Sequence, residues 1–174
     1  MIKKRFIFLL GFVLVTILGT SMKIDCKPTR FSNEHFTITY PHSWKLSVLS
    51  DKNISIVHPD SKFRATDYIF DTDFADITIR IIRKNELKNF IVDRIPTYKD
   101  PDLDAVQSTK KKTVQIKKKS VLFYYWTTEN TNGLDSYLEY DASHYIFFKM
   151  IYGNQKKRYF EEEFFRVVES YRIQ

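Results

Sequence analysis

Through most of this sequence apolar residues recur at every second position in short stretches, and that period constrains the fold more than any other feature. Phe36, Ile38 and Tyr40 alternate with His35, Thr37 and Thr39, and Pro41 closes the run. Successive strand side chains point to opposite faces, so such a run predicts a strand with one buried face. Trp44, Leu46 and Val48 repeat the pattern, Ile54 and Ile56 form a third short run before His58 and Pro59, and Ile77, Ile79 and Ile81 alternate with Thr78 and Arg80. Residues 113–116, 121–128, 136–140 and 145–152 predict four more strands, with Asn132 and Gly133 signalling a turn between the second and third of these.

The period changes in two places. Leu87, Phe90, Ile91 and Ile95 fit one face of a helix capped by Asn85 and ended by Pro96, and the polar stretch 98–108 after it reads as a loop. Near the end, Phe160, Phe164, Val167, Val168 and Tyr171 occupy one helical stripe, while Glu161, Glu162, Arg166 and Glu169 lie away from it, with Glu162 and Arg166 spaced to pair. A terminal amphipathic helix needs an apolar surface, and the aromatic strands supply one. The expected class is therefore α+β, an antiparallel β-sheet flanked by helices.

The first 22 residues stand apart. Lys3, Lys4 and Arg5 precede an uncharged apolar run, residues 6–22, which is the pattern of a secretory signal. Gly19 and Ser21 supply small side chains for cleavage, and the run is also just long enough to stay as a membrane anchor. In both cases the remainder is expected to be exported, to the periplasm, the exterior or the outer face of a membrane. Cys26 follows Lys23, Ile24 and Asp25 rather than the small residues of a lipidation signal, and as the single cysteine it forms no internal disulfide. Residues 23–32 then read as a leader and 33–174 as one domain. The net charge of +7 falls to +4 once the three basic residues of the signal are removed, an ordinary solubility charge.

Two stretches carry a family likeness. His35-Phe36-Thr37-Ile38-Thr39-Tyr40-Pro41-His42-Ser43-Trp44 resembles the opening apolar-x-apolar-x-Tyr-Pro-x-x-Trp of PsbP-like proteins, and residues 164–173 are similar to their closing helix. The resemblance implies an α-β-α sandwich, as in PsbP, a Ran-binding import factor and exported bacterial proteins of the DcrB group. Members of that fold do different jobs, so it implies no single function. The export signal fits the bacterial exported branch.

Residues able to do chemistry are scattered. Asp100, Asp102 and Asp104 have the alternate spacing of a calcium loop, but Ala105 and Lys111 stand where its glycine and bidentate glutamate belong. Asp71, Asp73 and Asp76 form a similar cluster. His35, His42, His58 and His144 show no zinc spacing with one another or with Cys26, and Ser43 and Ser170 lack a glycine elbow. With four glycines, two of them in the signal, there is no phosphate-binding loop. No catalytic residue, metal or cofactor is expected. Asn53-Ile54-Ser55 matches a glycosylation acceptor, a frequent chance pattern.

The one concentrated feature is basic. Lys110, Lys111, Lys112, Lys117, Lys118 and Lys119 crowd a single hairpin beside Tyr124, Tyr125 and Trp126. Lysines with aromatics can grip nucleic acid, but an exported chain meets anionic lipid or surface polymer instead. The same lysines also protect a strand edge from pairing with other chains. The sequence thus points to a non-catalytic binding or accessory protein of the cell envelope, whose partner is an envelope protein or an anionic membrane surface. A secreted hydrolase with a site assembled only in three dimensions is the alternative. N-terminal sequencing of protein from its native host tests the export reading: a start near residue 22 is expected, and an intact Met1 on a cytoplasmic protein contradicts it.

Overall fold

The computed structural model describes residues 27–59, 61, 73–87, 108–116, 119–128 and 131–174. The expected signal, Cys26, the helix body at 88–96 and Asp100, Asp102 and Asp104 lie outside them.

Seven strands form the main antiparallel sheet, in the order β3 (Lys45–Ser50), β4 (Asn53–Val57), β5 (Ala75–Arg83), β9 (His144–Tyr152), β8 (Asn132–Glu139), β7 (Lys119–Thr127) and β6 (Ser108–Ile116). A second sheet of three strands, not expected from the sequence, joins β1 (Thr29–Ser32), β2 (Phe36–Tyr40) and β10 (Arg172–Ile173). Helix α1 (Lys157–Ser170), the only α-helix among the described residues, packs beside β2 and against β9. None of these is a helix long and apolar enough to cross a membrane.

The core forms where α1 meets the sheet. Ile54, Ile56, Ile77, Ile79, Phe123, Leu134, Phe148 and Met150 point to one side of it and are fully buried. Phe160, Phe164 and Val167 of α1 meet them, equally buried. Their rings interlock edge to face: Phe164 sits 6.2 Å from Phe123, Phe165 4.9 Å from Phe123, and Tyr171 5.8 Å from Phe148. Edge-to-face pairs add to what area burial alone supplies. Tyr171 also reaches Phe36, at 6.3 Å, so the helix ties the small sheet to the large one.

Several expectations are corrected by packing. Val48 is exposed despite its alternation, because β3 is an edge strand whose end leaves the core. Thr37 is buried on the face expected to be wet, between the hydroxyl of Ser32 and the side chain of Gln174. Glu162 pairs with Arg158 at 3.0 Å, while Arg166 pairs with the neighbouring Glu163, so the expected Glu162–Arg166 pair is not the one formed. Ser108, placed in a loop by its polar neighbours, begins β6.

The largest change concerns Asn132 and Gly133, which lie inside β8 rather than in a turn. Gly133 pairs with Trp126 across β7 and β8, and a Cβ on Gly133 would stand 1.9 Å from the Trp126 ring. The glycine is there to let an indole lie flat on the sheet, not to bend the chain.

Phe164→Ala removes a ring with no exposed surface, and a loss of about 3 to 5 kcal/mol is expected in denaturant unfolding. A loss below about 1 kcal/mol would mean that α1 does not hold the sheet.

Candidate functional site

The lysine cluster lies at one rim of the main sheet. Lys110, Lys111 and Lys112 are not flanks of a strand, as expected, but part of β6, the outermost strand. All three are exposed. Alternation along β6 sends Lys111 to one face and its neighbours to the other. Lys111 Nζ stands 5.4 Å from the centre of the Tyr124 ring, its partner in the register. Lys119 opens β7 opposite Ile116; Lys117 and Lys118, between them, lie outside the described residues, as does the side chain of Lys119.

Behind this rim a polar row crosses the face of the sheet opposite α1. Ser55, Thr78, Lys149, Asp135, Tyr124 and Lys111 are successive register partners on β4, β5, β9, β8, β7 and β6. Lys149 Nζ sits 5.2 Å from the Trp126 ring, the indole that Gly133 admits. Asp135 has no exposed surface, and neither of its carboxylate oxygens closes a hydrogen bond. Trp126 Nε1 faces the carboxyl, but it too lacks a bond of proper geometry. Burial pushes the Asp135 carboxyl up to about 7, against the opposing pull of Lys149.

A cleft of about 750 Å³ opens between the end of β2 and the outer side of α1, lined by Tyr40, Pro41, Ser43, Tyr159, Glu163 and Arg166 among others. Glu163 is buried at its edge, and desolvation raises its carboxyl above the ordinary range although Arg166 pulls the other way. No histidine lines the cleft among the described residues. Ser43 is exposed, and the hydroxyl of Ser170 is taken up by Val167 O and Thr39 N, both at 2.7 Å.

The remaining candidates are structural or scattered. Asp73 holds Lys156 at 2.6 Å and Asp76 accepts from Ser55 at 2.8 Å, so those two acids of the 71–76 cluster face different partners. Asn53 and Ser55 lie within a strand paired on both sides, a poor place for a glycan. His58 is buried 5.4 Å from Trp44 and 5.2 Å from Phe160, His42 meets Thr29, and His144 pairs with Asp141. His35 is different: its Nε2 lies 3.2 Å from Asp51 and 3.8 Å from Glu34. Asp51 is 16 residues away, in the turn between β3 and β4, and spacing along the chain does not reveal it. The adjacent Glu34-His35 pair was the available signal.

No family model and no curated protein matches the chain. Among solved structures, the cyanobacterial PsbP of Synechocystis sp. PCC 6803 is similar with a TM-score of 0.52 and 11% identity, over 91% of this chain and 99% of that one. LpqN of Mycobacterium tuberculosis, described as involved in cell envelope biogenesis, gives a TM-score of 0.48 and 10% identity, over 85% and 91%. The chain has a PsbP-like fold, as its opening and closing motifs implied.

Asp135 yields a pH test. An unfolded chain would ionise it near 3.8, whereas the folded state holds its proton until about 7. Between those values the folded form binds more protons, so stability falls with rising pH, by up to about 1.4 kcal/mol per unit, and levels off above 7. Asp135→Asn should flatten that slope and unfold at higher denaturant than wild type at pH 8. An unchanged slope would show that the carboxyl is not kept neutral.

Proposed function

We propose that this is an exported, non-catalytic accessory domain that attaches to an anionic surface of the cell envelope through the β6 rim of its sheet. The observation that carries this reading is the exposure of Lys110, Lys111 and Lys112 together on the outermost strand. A flexible ammonium is a mobile point charge without the fixed fork that reads one partner, so such a rim suits a diffuse anionic surface rather than a specific pocket. Near an anionic bilayer each lysine contributes roughly 1 kcal/mol. The six lysines of the hairpin would then give about 6 kcal/mol, a dissociation constant between about 1 mM and 1 μM. That strength suits reversible attachment.

The apolar run of residues 6–22 supports export, and the PsbP-like fold is compatible with a role in binding, though a fold hosts many functions. The hydrolase alternative has less support, because the cleft at α1 brings a buried acid, Glu163, together with no histidine among the described residues. Nucleic acid is not the partner in this reading, since an exported domain does not meet it.

Co-sedimentation with phosphatidylglycerol vesicles tests the proposal, using protein matured in its native host and a variant with all six hairpin lysines changed to Gln. Wild type is expected to pellet at low ionic strength and in a smaller fraction at physiological salt, where charges beyond about 8 Å are screened. Equal sedimentation of the two proteins would discard the surface-binding role and leave the lysines as edge protection.

A further inference from the structure

We propose that Glu34, His35 and Asp51 form a binding site for one divalent transition-metal ion of the zinc class, at the corner where the turn between β1 and β2 meets the turn between β3 and β4. One donor atom from each residue lies within 4.8 Å of the other two. The two separations that involve the imidazole are 3.2 Å, to Asp51 Oδ2, and 3.8 Å, to Glu34 Oε1. Donors bound tetrahedrally to zinc at about 2.0 to 2.2 Å stand roughly 3.3 to 3.5 Å from one another. The site is thus close to the required size before any ion enters, and the exposed Glu34 side chain can swing to close the difference.

Its rigid parts are held by other residues. Asn33 Oδ1 accepts from the backbone of His35 at 3.0 Å and of Phe36 at 2.9 Å, while Asn33 Nδ2 donates to Asp51 O at 2.9 Å. One side chain thereby fixes the two turns against each other. The imidazole is oriented from outside the triad: Nδ1 lies 3.2 Å from the hydroxyl of Tyr140, which comes from the far turn between β8 and β9. Metal-binding histidines nearly always have such a partner on the second nitrogen, since it fixes the ring and aims the first at the ion. Here the first, Nε2, is aimed at two carboxylates.

The donor set chooses the class of ion. One imidazole with two carboxylates suits zinc and its neighbours, whereas calcium requires six or more oxygens and magnesium keeps mostly water and oxygen ligands. An entering ion replaces the hydrogen bond that His35 Nε2 makes with Asp51 Oδ2 at 3.2 Å, the main influence on that carboxylate, and competes with the weaker pull of Lys52, a single ammonium on an exposed turn. With Glu34 and Asp51 largely in solvent, the fourth position stays open to water. A bound ion would clamp the small sheet to the first hairpin of the large one.

The test is titration of chelator-treated protein from the native host with Zn²⁺ alone, against a chromogenic chelator, together with proton NMR of the imidazole rings. One zinc per chain is expected, with the His35 ring resonances shifted and those of His42, His58 and His144 unmoved. Glu34→Gln, an exposed change that keeps the fold, and Tyr140→Phe should each weaken uptake by about tenfold or more, and His35→Ala should abolish it. No stoichiometric uptake, uptake that survives His35→Ala, or a shift confined to another histidine overturns the proposal. If His35→Ala does not fold, Glu34→Gln and the ring resonances decide it alone.

Discussion

The edge-to-face contact between the aromatic stripe of α1 and the central strands is what the rest of the molecule depends on. A single cysteine allows no internal crosslink, so the seven-stranded sheet has to be held by burial. Phe160 and Phe164 supply that burial over β9 and β7, and Tyr171 extends it to Phe36 of the small sheet. From this follow the position of β10, which continues directly from the helix to pair with β2, and the cleft left where β2 passes the outer side of α1. The corner holding Glu34, His35 and Asp51 is fixed by the same arrangement, because Gln174 N, just past β10, donates to His35 O at 3.2 Å.

The opposite face follows a different logic. Instead of a continuous apolar layer, it carries the polar row from Ser55 to Lys111 and an unpaired buried acid. Burying a carboxyl without hydrogen bonds is unfavourable in either protonation state, and more so when ionised. Trp126 lies beside it because Gly133 makes room, and Lys149 lies over that indole. The row ends at the exposed Lys111 of β6, so that lysine and the buried acid belong to one line of side chains across the sheet.

Much of the fold was legible in the sequence, because alternation and helical stripes are local. β2, β4, β5, β9 and α1 lie where Phe36, Ile54, Ile77, Tyr145 and Phe160 place them. The misreadings arose where tertiary packing overrides a local signal. Asn132-Gly133 is a strong turn pair, yet the chain closes just before it, where Thr128 N donates to Thr131 O, and the glycine makes room for the Trp126 ring. Val48 alternates correctly but runs off the core. The sites were less legible than the strands. The lysine rim was visible as a charge run, whereas the Glu34, His35 and Asp51 corner joins residues from two turns, and the isolation of Asp135 depends on what its neighbours on β7 and β9 fail to offer.

In the proposed attachment the β6 rim meets the envelope, at the edge of the main sheet opposite β3 and the corner of Glu34, His35 and Asp51. Amide signal loss on adding phosphatidylglycerol vesicles that carry a paramagnetic lipid reports which residues approach the surface. The account predicts broadening concentrated in β6 and the start of β7, around Lys110, Lys111, Lys112 and Ser120, and fading across the sheet toward β3. Broadening centred instead on Tyr40, Tyr159 and Arg166, or spread evenly over the molecule, would contradict it.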